Sequence, residues 1–227
     1  DPFTGVTRME SMPVSLDDHR AGGPTLAVGP APRTLPLRVP QVTERYLTYF
    51  RALLEQIDMD QVETVVRRIR RARDAGATIY VAGNGGSAAT ATHLANDLGK
   101  ATKRSGCRPI RVMCLSDNVS WLTALANDEG YERVFTGQLE NFARPGDVLI
   151  VISASGNSPN LVNAVNFARS WGLVTIGLLG FDGGALRHRV DESLCVLTEI
   201  GAYGPVESAH SVLCDIITTC LIEDRPR

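Results

Sequence analysis

The chain is short of most features that would assign it at a glance. Its five cysteines (Cys107, Cys114, Cys195, Cys214 and Cys220) are odd in number and form no Cys-x-x-Cys pair. Reduced thiols are the simple reading, and the expected location is cytoplasmic. No segment approaches the ~20 uninterrupted apolar residues of a membrane helix, and the N-terminal residues lack the apolar run of a secretory signal. Membrane partners are therefore not expected. The net charge is only −2, which argues against a mainly electrostatic nucleic-acid binder. One basic run, RRIRRAR (67–73), falls on an amphipathic helix and reads as a solvated face. Internal repeats are missing as well.

What is there is an ordinary soluble balance. The 227 residues are 44% hydrophobic and 21% charged, enough to bury a core in one domain with a tail. Seven of the twelve prolines fall in residues 1–40, among Gly, Thr and Ser. Such a stretch cannot bury enough apolar surface to offset its ordering entropy, so a flexible arm is expected there. Its opening DPFT (1–4) looks like an expression-vector scar.

Residues 41–227 are expected to form a single domain that begins with two helices. In 41–57, Tyr46, Phe50, Leu53 and Ile57 repeat at helical spacing, and this stripe needs a surface to bury against. In 60–75, Val62, Val65, Val66 and Ile69 form a second stripe, with Gly76 as a C-terminal cap. Short apolar runs then alternate with helical stretches. TIYVAG (78–83), IRVMCL (110–115), DVLIVIS (147–153), LVTIGLLG (173–180) and SLCVLT (193–198) read as strands, and a last helix runs from about Pro205 to Ile222. Near-continuous apolar strands between helices predict a parallel sheet covered on both faces.

Two strands end in glycine- and hydroxyl-rich turns, GNGGS (83–87) and SASGNS (153–158). Each precedes a helix N-terminus, where free backbone N–H groups and the helix dipole favour an anion. The first turn has no Lys-Ser/Thr for a Walker A loop. It fits a dinucleotide fingerprint only in a loosened form through Gly83, Gly85 and Ala88, and a tight turn without a ligand is the third reading. The matching second turn favours a monophosphate clasped from two sides, with no nucleotide cofactor.

GNGGSAA followed by a helical His, ANDEGYERVF, and GDVLIVISASGNSPN together resemble the sugar isomerase (SIS) domain proteins. They are most similar to the phosphoheptose isomerase branch, over roughly residues 41–222. That branch interconverts sedoheptulose 7-phosphate and D-glycero-D-manno-heptose 7-phosphate. The resemblance implies an α/β three-layer sandwich with a central, mostly parallel five-stranded sheet flanked by helices. It also implies a homotetramer with sites between subunits. Sugar-phosphate contacts carry over to Asn84, Gly85, Gly86, Asn127, Asp128, Ser153, Ser155 and Ser158, and Ser87 completes the first turn.

Aldose–ketose isomerisation passes a proton between C1 and C2 through an enediol, which takes acid–base groups and a means of steadying an oxyanion. In the family a helical His-x3-Glu, a Gln and a late His gather for this, and bind zinc in some members. The matching residues are His93 and Asp97, on one helix face, then Glu207 and Asp215, both on the last helix. The expected catalytic residues are thus Asp97, Glu207 and Asp215, and the expected metal ligands His93, Asp97, Glu207 and Asp215. An eight-residue interval puts Glu207 and Asp215 on nearly the same face, so all four are expected in one pocket.

Asp215 replaces an imidazole, whose pKa near 6.5 suits proton transfer at neutral pH. Three outcomes stay open. Like charges raise one carboxyl pKa, a divalent cation such as zinc neutralises them, or the chemistry is lost. Each group also has a plainer reading: a surface His93, a solvated Asp97, a helix-start charge at Glu207, an Arg-paired Asp215. His210 is as much a structural as a functional candidate, and His19 and His188 are assigned no catalytic role. Two classes of function follow. One is a phosphosugar isomerase acting on a seven- or eight-carbon sugar phosphate, feeding surface polysaccharides or sugar-bearing natural products. The other is a non-catalytic SIS module that binds a phosphosugar or a protein, such as a replication-initiation factor.

Overall fold

The computed structural model describes residues 38–103 and 107–224. The proposed vector scar, His19 and nearly all of the proposed arm lie outside the described residues. Two helices come first, α1 (Val39–Leu54) and α2 (Met59–Ala75). The Asp58 carboxylate caps α2 by accepting from the Asp60 and Gln61 amides at 3.0 and 3.1 Å. Gly76 closes it at φ 71°, its N–H bonded to the Ala72 and Arg73 carbonyls, as the sequence predicts.

Strand and helix then alternate: β1 (Thr78–Gly83), α3 (Gly86–Asn96), β2 (Arg111–Cys114), α4 (Val119–Asp128), α5 (Thr136–Phe142), β3 (Val148–Ser153), α6 (Pro159–Ser170), β4 (Val174–Phe181), β5 (Glu192–Leu197) and α7 (Tyr203–Glu223). The strand order is β2-β1-β3-β4-β5, and all four pairings are parallel. The expected "mostly parallel" sheet is parallel throughout. Successive side chains serve opposite faces: Ile79 and Val81 join a core with α2, α3 and α7, while Tyr80 and Ala82 join one with α5 and α6. That makes three layers.

The first helical stripe finds most of the surface it needs within the chain: Leu53 is buried, and Phe50 and Ile57 pack on the same core. The large apolar residues left exposed on α1 are Val39, Val42, Tyr46, Leu47 and Tyr49. The basic run on α2 is largely neutralised, because Arg67, Arg68, Arg70 and Arg73 pair with Glu63, Glu192 and Asp224. Among the described residues, no helix is long and apolar enough to cross a membrane.

Candidate active site at the ends of two adjacent strands

β1 and β3 lie side by side at the centre of the sheet. The helix after β1 packs on one face and the helix after β3 on the other. A crevice opens at such a reversal, beyond the carboxyl ends of the strands. Both anion-type turns open into it. At the first, a side chain on Gly83 would collide with the Ser87 carbonyl, and Gly85 takes φ 55°. At the second, Gly156 takes φ 62°, and a Cβ there would run into the Gly183 carbonyl. Ser153 Oγ accepts from the Gly156 amide at 3.0 Å, which holds that turn closed. The N-cap residues of α3 and α6, Gly85 and Ser158, make no side-chain capping bond, and the helix dipoles at both starts favour an anion.

Between the turns lies a cavity of about 140 Å³. Asn84 and Ser87 wall it from the first turn, Ser153, Ser155 and Ser158 from the second, and Tyr203 and Glu207 from α7. Gly85 and Gly86 form the exposed rim of the first turn. Asn127 and Asp128, expected at this site, are not among its walls. They are exposed at the end of α4, where the Asn127 amide donates to the Asp128 carboxylate at 2.7 Å. A larger groove of about 660 Å³ between α3, β2 and α4 has Trp121 and Phe142 on its wall. It holds neither serine turn nor any expected site residue.

The other expected groups gather at the far end of α3. His93 Nε2 stands 3.1 Å from Asp97 Oδ2, and one ligand atom from each of His93, Asp97 and Asp215 lies within 4.8 Å of the others. A π-helical turn (Asp97–Ala101) begins at Asp97, a local widening frequently found at functional sites. Asn96 Nδ2 donates to Asp97 Oδ1 at 3.0 Å. Burial, then the charges of Asp215 and Asp97, push the neighbouring Cys214 thiol up to about 12.

Glu207 does not join this cluster. Sharing a helix face aligns Glu207 with Asp215, but eight residues also separate their α-carbons by about 12 Å along the axis. The Glu207 carboxylate abuts Gly86, where even a Cβ would collide with it. It therefore belongs to the serine cavity. His210, one turn further along α7, is fully buried with no hydrogen bond completed at either ring nitrogen. Burial lowers its pKa to about 4 although the Leu179 backbone pulls the other way. It is a neutral core imidazole. His188 is exposed in the loop after β4.

Four residues in or around the cavity escaped the sequence reading. Tyr203 forms part of the wall and meets Phe181 edge-on at 5.1 Å. Phe181 takes φ 51°, rare for a bulky residue, and packs with Ala154 and Val206; it thus ties the second turn to α7. Asn160 and Tyr131 bond directly to Asn84. Both stand in stretches that carried the family resemblance, SGNSPN and DEGYER, but nothing in those strings says which side chain reaches which turn.

Comparison with known proteins agrees with this geometry. A family profile described as "SIS domain" matches residues 45–180. A phosphoheptose isomerase of Chlorobaculum parvum is 38% identical over 180 residues, 78% of this chain and 85% of that one. One of Pelobacter propionicus is 40% identical over 177 residues, 75% of this chain and 93% of its own. The solved structure of a phosphoheptose isomerase from Neisseria gonorrhoeae aligns with a TM-score of 0.72 at 28% identity, covering 81% of this chain and 96% of its own.

Proposed function

This chain belongs to the SIS domain family, in its phosphoheptose isomerase branch, and from that membership we infer that it is a phosphosugar aldose–ketose isomerase. Its reaction interconverts sedoheptulose 7-phosphate and D-glycero-D-manno-heptose 7-phosphate. The observation that carries the reading is helix α3, whose ends meet two different chemistries. Its first turn joins the serine cavity, while His93 and Asp97 stand six and ten residues beyond Ser87, about 9 and 15 Å along the axis. A sugar phosphate carries its charge at one end and its carbonyl at the other. Two separated stations suit it.

In this reading Asn84, Ser87, Ser153, Ser155 and Ser158 bind the phosphate with neutral donors, helped by the backbone of Gly85 and Gly86. Asp97 takes the proton from one carbon and returns it to its neighbour. Asp215 exchanges protons with the two sugar oxygens, and His93 holds the Asp97 carboxylate in place. One imidazole and two carboxylates within 4.8 Å fit a divalent cation. His93, Asp97 and Asp215 would hold it, zinc by preference, and it would polarise the substrate carbonyl as a Lewis acid.

The enzyme is cytoplasmic and assembles as a homotetramer through the exposed apolar residues of α1, with its sites between subunits. A monomer mass by light scattering at micromolar protein would sink that assembly. For the activity, the full chain is incubated with sedoheptulose 7-phosphate, with and without zinc, and the aldose product is followed by NMR. Product formation is expected. Sugar-phosphate binding without turnover under both conditions would replace the enzyme with a phosphosugar-binding module.

A further inference from the structure

Asn84 is held by two side chains from separate elements, and the hydrogen bonds fix which way its amide faces. The Leu161 amide donates to Asn160 at 2.9 Å, so the atom it meets is the Asn160 oxygen. The Asn160 nitrogen must then be the donor to Asn84 Oδ1, at 2.9 Å. In return, Asn84 Nδ2 donates to Asn160 Oδ1 at 2.9 Å. The Tyr131 hydroxyl also donates to Asn84 Oδ1, at 2.9 Å. Both lone pairs of the Asn84 oxygen are used, while its NH2 has two hydrogens and only one partner here. Asn84 itself walls the serine cavity.

We propose that Tyr131 and Asn160 are positioning residues that lock the Asn84 amide, leaving its second N–H for the phosphate and joining both turns into one clasp. An unrestrained asparagine presents oxygen or nitrogen with similar ease, and an oxygen turned toward an anion repels it. Asn160 is buried at the start of α6, with 1% of its surface exposed, and so ties the first turn to the helix that follows the second. Tyr131 stands in the 3-10 turn Tyr131–Arg133 after α4, with 53% of its surface exposed. Its hydroxyl is therefore removable without opening the core. The inference rests on the cavity being the phosphate site.

The test compares wild type with Tyr131→Phe in two ways. One is exchange of the Asn84 side-chain NH2 protons in the 15N-labelled, ligand-free protein. The other is steady-state turnover of sedoheptulose 7-phosphate. Loss of one neutral hydrogen bond predicts faster amide exchange and a KM raised about fivefold at nearly constant kcat, with an unchanged melting temperature. Wild-type values for both exchange and KM overturn the lock. So does a fall in kcat at constant KM, or a lowered melting temperature, which would make the hydroxyl catalytic or merely structural. If amide exchange responds but the wild type binds no sugar phosphate, the lock stands and the phosphate reading falls. Asn160→Asp, which keeps the shape but loses the donor to Asn84, should raise KM more than Tyr131→Phe does; an equal or smaller rise counts against the clasp.

Discussion

The two ends of α3 solve opposite problems with opposite materials. Its first turn is assembled from backbone, hydroxyls and amides, walled by Ser87, Ser153 and Ser158, with no Lys, Arg or His among the cavity walls. Its last turn consists of ionisable side chains, His93 and Asp97, joined by Asp215, and two of those three residues are exposed. In the proposed reading the first end stabilises a charge that the ligand brings, and neutral dipoles fixed in advance do that without a counter-ion of their own. The second end, in the same reading, has to accept and release protons. For that it needs groups whose charge changes, at the cost of mutual repulsion when they are empty. One end is rigid and neutral, the other charged and adaptable.

If that division holds, substitutions at the two ends should fail in different kinetic constants. Asp97→Asn keeps the shape and removes the base. It should lower kcat by about 10²–10⁴-fold, the usual worth of a positioned acid–base group, while sugar-phosphate binding by calorimetry stays close to wild type. Ser87→Ala or Ser155→Ala should do the reverse. Each removes a hydrogen bond to a charged group, about 1.5–3 kcal/mol of binding, and leaves the proton chemistry in place. Wild-type turnover in Asp97→Asn would remove the acid–base assignment. Unchanged affinity in both serine variants would move the phosphate elsewhere.

The neutral end was the more legible in sequence, for a local reason. GNGGS and SASGNS each sit within one strand–turn–helix unit, so their hydroxyls and glycines arrive together wherever the unit goes. The strands themselves announced their places through continuous apolar runs, as at Val148–Ser153, buried throughout on both faces. The charged end needs α3 and α7 to meet, and here reasoning by helix phase fell short. Phase put Glu207 beside Asp215, but phase ignores rise, and the two ended in different sites. Nor does periodicity register the π turn at Asp97, because a single extra residue in one turn barely disturbs a hydrophobic pattern. Asn127 and Tyr131 show the same limit at shorter range. Both stand in one motif, and it is the tyrosine that reaches the first turn.

His210 offers a test of what lies between the ends. It sits on α7 between Glu207 and Asp215, buried, unpaired and with its pKa lowered to about 4. Unfolded, the same imidazole titrates near 6.5. The unfolded chain therefore binds a proton that the folded chain refuses. Stability is full above pH 6.5 and declines as the pH falls from there towards 4, by up to about 3 kcal/mol. Denaturant melts at pH 7.5 and pH 5 should reveal that loss in the wild type. In His210→Leu, which puts an apolar group among apolar neighbours, most of it should vanish. An equal loss in both proteins would mean that the imidazole is hydrated or paired in solution, and the two ends would then be linked by a polar path.

The smallest expected effect concerns the one carboxylate that breaks the contrast. Glu207 is an acid in the otherwise neutral cavity, and it abuts Gly86 at the N-terminus of α3. Without ligand this is a favourable place for it, because the helix dipole welcomes negative charge there. A bound phosphate carries about −1.5 to −2 at pH 7 and draws on the same dipole, so the two anions compete. At ~4 Å and water-like screening each pair of unit charges costs about 1 kcal/mol, which is a few-fold in affinity. Glu207→Gln keeps the shape and loses the charge, so inorganic phosphate should bind about three- to tenfold more tightly to the variant by calorimetry. Inorganic phosphate is the right probe because it has no sugar hydroxyls for a carboxylate to accept from. If phosphate tightens while heptose phosphate weakens, Glu207 holds the sugar and tolerates the phosphate, and the contrast between the ends is sharper than drawn. If phosphate itself binds more weakly, the carboxylate is bracing the Gly86 turn, and the neutral end depends on a charge after all.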